Sequence, residues 1–517
     1  MKLKLVLLVF LAFPVCMTAQ TFDIKTYGAV GDGKTLCTKA IQAAIDSCSR
    51  NGGGKVYVPS GIFKTGTVFL KSNVNLYLEA GAVLKGSENL ADYFEYTMPE
   101  FGKNYYGIIY TDEAEHVSIT GFGAIDGNNL VFFDWEKAKQ IEWGGKQYSR
   151  QKDNFRKVME GIGDGPVVPK DRPRQMVVFS RCKNVKVENV QLLNSPFWTL
   201  HFADCDGVSV SGIFLSTNML VPNADGIDVT SSSNVTISDC DIRAGDDAIA
   251  ITGYDHHFEI PGYHRLRHAS ENIVVTNCNL QSFSSGIRIG WLDQNSVKNI
   301  QVSNVNITNS TRGIGIFVRD EGSLENISFS NMFIQTVLHT GDWWGNGEPI
   351  HVSAVRGNDS VKLGQIKHVS FSNIICKGEN GLLLYGSEES VLEDITFNNV
   401  RFELTDSRLN EVAGGNVDLR GCSLQKQLFE RDIPGILVQH IKGLTLSDFQ
   451  LTWTGTRMPY FTHGLELENF ADVTVRNFKG SASPINKKAY RISVVNGTGL
   501  VLDDKSNTLI KNVNPKK

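Results

Sequence analysis

Proline is scarce in this chain, at 14 of 517 residues, and neither sign of charge dominates, with 51 Lys and Arg against 55 Asp and Glu. The first shortage excludes a long proline-rich linker. The second removes the broad basic surface that nucleic acid or an anionic membrane would need, so neither is an expected partner. No apolar run reaches the ~20 residues of a membrane-spanning helix. The nine cysteines are scattered and form no CxxC pair. That argues against a disulfide-stapled scaffold and against a zinc ribbon. The cysteines read as small buried hydrophobes, with one or two disulfides open to them in an oxidising compartment. At 41% hydrophobic and 9% aromatic the chain is too apolar to be wholly disordered.

Glycine, by contrast, is plentiful at 49 residues and suits many tight turns. Residues 1–19 have the layout of a secretory signal. Lys2 and Lys4 precede the apolar run Leu5 to Val15, and Thr18-Ala19 offers a small-residue cleavage site. The expected product is a secreted or periplasmic protein of bacterial type.

One pattern recurs: a short alternation of apolar and polar residues, then Asn, Asp or Gly, then an apolar residue. It appears as NVTISDCDI from Asn234, NIVVTNCNL from Asn272, NIQVSNVNI from Asn299 and NISFSNMFI from Asn326. Looser copies extend it in both directions, and the closest start 23 to 29 residues apart. Short strands at this spacing suit a sandwich, a propeller or a parallel β-helix. Asn277, Asn304, Asn331 and Asn373 recur in register, as stacked asparagine turns would. Cys240 and Cys278 share one repeat position, as an interior ladder would. The expected fold is all-β: a single-stranded right-handed parallel β-helix, a solenoid of about ten coils with an N-terminal capping section. Its coils would lie ~4.8 Å apart. Thr38 to Cys48 reads as an amphipathic capping helix with Ile41, Ala44, Ile45 and Cys48 on one face. The expected organisation is a signal at 1–19, a capping section at 20–90, the catalytic β-helix at 91–485 and a C-terminal tail or cap at 486–517.

Aligning the repeats brings four segments into register: those starting at Gly226, Ala248, Gly286 and Gly313. Their second and fourth residues are apolar and should face the core, and their third residues, Asp228, Ala250, Arg288 and Gly315, should face outward. The residues just before them are Asp225, Asp247, Ser285 and Arg312. Asp225 then lies one coil from Asp247, which is next to Asp246. Like charges so close raise at least one pKa, so one acid stays protonated near neutrality. A protonated acid beside ionised carboxylates is what glycosidic-bond hydrolysis requires.

These residues make the chain resemble glycoside hydrolase family 28, the polygalacturonase family, from roughly Phe22 to Ala482. YGAVGDGKT from Tyr27, GGGKVYVPSG from Gly52 and LLNSPFWTLHF from Leu192 are further points of likeness. The family's Asn-Thr-Asp motif is matched by Asn223-Ala224-Asp225, and its paired aspartates by Asp246-Asp247. The resemblance implies a pectin-degrading parallel β-helix that hydrolyses by single displacement with inversion. Asp246 would be the general acid, while Asp225 and Asp247 would hold and deprotonate the attacking water. Two motifs depart from the pattern. The family's Gly-His-Gly falls on Ser284-Ser285-Gly286, and its Arg-Ile-Lys, which helps to bind the sugar carboxylate, falls on Gly315-Ile316-Phe317. Arg288, Arg312 and Arg319 are candidates to replace the missing cations, since arginine grips a carboxylate in bidentate fashion.

Three insertions should shape the cleft. Gly253 to Ser270 holds His256, His257, His264 and His268. Their spacing matches no zinc pattern, so no metal or cofactor is expected. The loop reads instead as a lid, with His257 the candidate to stand in for the missing histidine. His339 to Pro349 carries Trp343 and Trp344, which can stack on a sugar ring if exposed. Asn128 to Asp171 should form a wall. Long loops favour an enclosed pocket and exo action on an acidic polysaccharide or oligosaccharide by a monomer. Two other functions fit the same fold. One is a polysaccharide lyase using Arg288 as base, and the other is a non-catalytic carbohydrate-binding rod.

Overall fold

A computed structural model of the chain describes residues 20–98, 102–138, 148–157, 165–255 and 268–514. The signal-like residues 1–19 and His257 lie outside these. The protein is a parallel β-helix in which 36 short strands join one continuous sheet by coil-to-coil pairing. Residues near both ends contribute to it: Thr21–Asp23 pairs with Gly54–Val58, and Ile492–Thr498 pairs with Thr508–Asn514. Among the described residues no helix is long and apolar enough to cross a membrane.

The register follows the repeat. Asp228 pairs with Ala250, Ala250 with Arg288, and Arg288 with Gly315. The flanking residues Ile227, Val229, Ile249, Ile251, Ile287, Ile289, Ile314 and Ile316 are completely buried inside the coil. A fully buried aliphatic side chain contributes ~1.5–3 kcal/mol, so every coil adds several such terms and the rod is stiff. Aromatic side chains stack along the same interior, as Phe329, Phe371 and Phe397 do with 5.2 and 4.7 Å between successive rings. Where a glycine opens a segment, at Gly226, Gly286 and Gly313, space forces it. A Cβ on Gly286 would sit 2.5 Å from Ile307 Cγ2.

The asparagine turns stack as expected. Asn272, Asn299 and Asn326 each donate from their side-chain amide to the asparagine one coil back, at 3.3, 3.2 and 3.1 Å. Asn331, Asn373 and Asn399 continue a second row at 3.3, 3.2 and 2.8 Å. These residues take a left-handed backbone, with φ between 54° and 59°, which asparagine tolerates better than other residues with a Cβ. The eight cysteines from Cys37 to Cys422 are free and buried. The capping helix spans Thr38–Arg50 and buries the predicted four residues Ile41, Ala44, Ile45 and Cys48. It covers the open N-terminal edge of the first coils, which would otherwise present unpaired strands.

Candidate active site

The three aspartates meet on one face of the rod. Hydrogen bonds between coils fix their backbone: Gly226 N donates to Asp247 O at 2.9 Å, and Ala248 N to Ser285 O at 3.0 Å. One carboxylate oxygen from each of Asp225, Asp246 and Asp247 lies within 4.8 Å of the others.

Their surroundings differ. Asp247 is the best satisfied. Its Oδ1 accepts from Ser284 Oγ at 2.8 Å and from Ser285 N at 2.9 Å, and its Oδ2 accepts from Arg288 Nε. Asp246 accepts from Asn223 N at 3.2 Å and from Asp247 N at 3.1 Å. Asp225 is buried, and its Oδ1 has no hydrogen-bond partner among the described residues. Burial and then the Asp247 charge push the Asp246 carboxyl from its ordinary 3.8 up to about 6, against the opposing pull of Arg288. Burial, then the charges of Asp228, Asp246 and Asp247, push Asp225 well up. The cluster therefore retains a proton at mildly acidic pH, while Arg288 supplies the charge that Asp247 needs.

Asn223 takes the left-handed conformation at φ 56°, which lets its N–H face Asp246. Its Oδ1 accepts from Arg172 at 3.1 Å, and Arg172 also donates to the carbonyls of Pro196 and Pro222. The loop that presents Asn223 is thus held at several points.

Several expectations change. The row Asp228, Ala250, Arg288 does face out of the coil, yet all three are buried under insertions and neighbours. Arg288 is paired with Asp247 rather than standing free for a ligand, and it also donates to Tyr254 Oη at 3.1 Å. Arg312 reaches Ser285 Oγ at 3.3 Å, but its main partner is Glu348 at 2.8 Å. Glu348 also meets His351 Nδ1 at 3.1 Å. Arg319 is buried against Ser353 and backbone carbonyls. Where Arg-Ile-Lys would stand, the Phe317 ring folds back over Gly315. A Cβ on Gly315 would meet that ring at 2.5 Å. Phe317 is then flanked by Trp291 and His351, with Arg312 and Arg319 over its faces.

Trp343 is buried, edge-on to Phe283 at 5.0 Å, and so is not an exposed stacking surface. Trp344 is half-buried, edge-on to Trp291. Both line a small pocket with Asn223, Asp246, Ser284 and Asp342. Two arginines from different insertions fix this wall. Arg420 donates to Asp418, to Asp342 Oδ1 at 3.0 Å and to the Trp343 carbonyl at 2.6 Å. Arg156 donates to the same carbonyl at 2.6 Å and to Asn346 Oδ1 at 3.1 Å.

Sequence reasoning missed Ser284, Asp342, Tyr254, Glu348, Arg156 and Arg420. Ser284 adjoins the divergent Ser285, and Asp342 precedes the tryptophan pair, so both were within reach of the motif reading. The others come from insertions without a repeat register, and nothing in their spacing signals the contact.

Comparison with known proteins agrees with this geometry. A "Probable polygalacturonase" of Vitis vinifera is 30% identical over 253 residues, 46% of each chain. An exo-poly-alpha-D-galacturonosidase of Dickeya chrysanthemi is 29% identical over 258 residues, 44% of this chain and 41% of that one. The chain thus spans less than half the length of these curated relatives. Among solved structures, the exopolygalacturonase from Thermotoga maritima aligns with TM-score 0.56 and 26% identity, covering 74% of this chain and 87% of that chain. Residues 48–411, well over half of the chain, match the pattern of glycosyl hydrolases family 28. The chain belongs to that family.

Proposed function

We propose that the protein is an exported bacterial glycoside hydrolase that cleaves pectin-like polysaccharide or oligosaccharide, of galacturonate or rhamnogalacturonan type, by single displacement with inversion. The observation that carries this reading is the asymmetry of the three aspartates. Asp246, whose carboxyl is raised to about 6 and which lines the pocket, is the general acid that protonates the leaving oxygen. Asp247, held by Ser284, Ser285 N and Arg288, deprotonates the water, which Asp225 helps to position. The occupied oxygens of Asp247 favour a role beside a water over direct attack on carbon. The pairing of Arg288 with Asp247 also disfavours elimination, because a lyase would need that arginine as a base. The insertions around the pocket favour action at chain ends by a monomer.

The closest carboxylate oxygens are nearer together than the ~6.5–9.5 Å left between two carboxyls for a water in inverting pairs, and nearer the ~5 Å of retaining ones. A third carboxylate changes the geometry, since the water can sit between Asp225 and Asp247 while Asp246 serves the leaving group. The stereochemistry of the first product is therefore the deciding measurement. Proton NMR during early turnover of pectic oligosaccharides should show the inverted anomer. Retention of configuration, or unsaturated products absorbing in the ultraviolet, would sink the proposal.

A further inference from the structure

The later coils carry a second polar feature, on a different strand row from the acids. Phe333, Ile375, Arg401, Gln450 and Lys479 stand in one line along the rod, each paired in register with the next. All five are exposed, while the residue before each of them is buried. The line covers four coil spacings, roughly 19 Å. Followed backwards, the same row runs through Asn306 and Asn279 to Asp241, in the coil that carries Asp246 and Asp247. Arg401 is therefore five coils from the acids, roughly 24 Å along the rod.

Arg401, Gln450 and Lys479 line a groove of about 360 Å³ together with Asn399, Asp448 and Asn477. Its cations are uncommitted. Among the described residues, neither Arg401 nor Lys479 has an ion pair, and the Gln450 amide has no side-chain partner. Two positions further along the same strands the opposite holds, since Lys377 pairs with Glu403 at 2.9 Å. Asp448, the one acid in the lining, accepts from the Asn477 amide. The lining thus offers two free cations, a free amide and, two coils on from Arg401, the exposed ring of Phe333.

We infer that this stripe is a second, non-catalytic binding site for an acidic polysaccharide. That the polymer is pectin-like rests on the glycosidase reading above; the site itself does not. A polymer with a carboxylate on successive rings can place one at Arg401, in bidentate fashion, and another at Lys479. Its hydroxyls bond to the Gln450 and Asn399 amides, and the C–H face of a ring packs on Phe333. Two cations are too few for nucleic acid, which proteins hold by neutralising about 6–10 phosphates. Each exposed charge contact is weak alone. A site tethered by the rod to the acids nevertheless raises the concentration of polymer ends at the cleft.

The test is affinity electrophoresis of the full chain through gels containing polygalacturonate, with Asp246→Asn in every chain so that the polymer stays intact. The double variant Arg401→Ala, Lys479→Ala should bind polygalacturonate at least fivefold more weakly. The swap Arg401→Lys, Lys479→Arg should stay within twofold of the parent, and Phe333→Ala should weaken binding two- to threefold. With Asp246 intact, the double variant should turn over a pectic trisaccharide within twofold of wild type. Polymer binding unchanged in the double variant would overturn the inference. So would neutral galactan or duplex DNA held as tightly as polygalacturonate, or a trisaccharide turnover that falls in step with polymer binding. If polygalacturonate is held through Arg401 and Lys479 but no pectic fragment is hydrolysed, the glycosidase reading fails and this one stands. If fragments are hydrolysed and the double variant holds the polymer as before, this one fails alone.

Discussion

The coils from Asp225 to Asn331 carry two kinds of polar row, and they behave in opposite ways. On one edge, asparagine amides pass a hydrogen bond from coil to coil in solvent, each donor satisfied by the identical residue beneath it. On the other face, Asp225 stands one coil from the adjacent pair Asp246 and Asp247, under insertions. An amide has both a donor and an acceptor, so stacking like on like satisfies it. A carboxylate has only acceptors, so stacking like on like repels. The same backbone register thus yields a self-satisfying ladder from one residue type and a charge-frustrated cluster from another. The frustration is held by what the ladder does not need: a buried arginine, two serines and a pair of clamped loops.

The sharpest way to break this contrast is Asp246→Asn. It keeps the shape and one of the two hydrogen bonds that Asn223 N and Asp247 N make to separate oxygens, since an amide has a single acceptor oxygen, and it removes the transferable proton. Turnover should fall by about 10²–10⁴, the usual contribution of a general acid. Steady-state kinetics on the best pectic substrate reads it, and activity within threefold of wild type would remove Asp246 from the acid role. Arg288→Met should come next. It leaves Asp247 buried without its cation, at a cost of about 3–5 kcal/mol in stability. Because Arg288 lowers the Asp246 carboxyl, its loss should also move the alkaline limb of the pH–activity profile to higher pH. A limb that stays in place would separate Arg288 from the acid cluster.

Arg420→Met probes the clamped wall rather than the acids. It unties Asp342, Asp418 and the Trp343 carbonyl together, so a destabilisation of about 3–5 kcal/mol is expected. In the folded fraction KM should rise more than kcat falls, since the loss is of pocket shape and not of the proton donor. An equal fall in kcat would mean that the wall positions the acid itself.

The acid cluster also leaves a signature in stability against pH. With its carboxyl at about 6 rather than 3.8, Asp246 keeps a proton in the folded chain over a range where the unfolded chain has lost it. The folded state binds more protons there, so stability falls as pH rises from about 4 to about 6 and stays lowered above that. The shift corresponds to at most about 3 kcal/mol, and Asp225 acts in the same direction. Asp246→Asn should therefore raise the melting temperature at pH 8 and leave it nearly unchanged at pH 3. The active-site acid would then be a site at which activity is held against stability, and the absence of any pH-dependent gain would contradict the raised carboxyl.

The contrast also explains what the sequence made legible. Repetition is visible in a sequence, and so the coils, the asparagine rows, the capping helix from Thr38 and the pairing of Arg288 with Gly315 could be read from spacing alone. The acids were legible because Asp225 and Asp247 sit at register positions. Partners supplied by insertions were not. Glu348 reaches Arg312 across 36 residues, Asp342 reaches Arg420 across 78, and the Trp343 carbonyl reaches Arg156 across 187. No period links those positions, so the burial of Trp343 and the commitment of Arg312 to Glu348 emerge only when the loops are packed on the rod.

The smallest expected effect lies on the ladder and sharpens the comparison most cleanly. Asn299 donates to Asn272 and accepts from Asn326, both in solvent, and its own backbone is left-handed at φ 58°. Asn299→Ala removes two exposed hydrogen bonds, which water largely replaces, and places a Cβ residue with no side-chain hydrogen bond in a left-handed turn. About 1–2 kcal/mol covers both, most of it backbone strain. Asn299→Gly relieves the strain while losing the same two bonds, so it should cost about 1 kcal/mol less than the alanine variant. Chemical denaturation of the two variants separates the terms, and kcat should be unchanged in both. If Asn299→Gly were as damaging as Asn299→Ala, the amide ladder itself would be holding the coils together. The outer row would then contribute to the rod on the scale of its core, and the division between a structural edge and a chemical face would not hold.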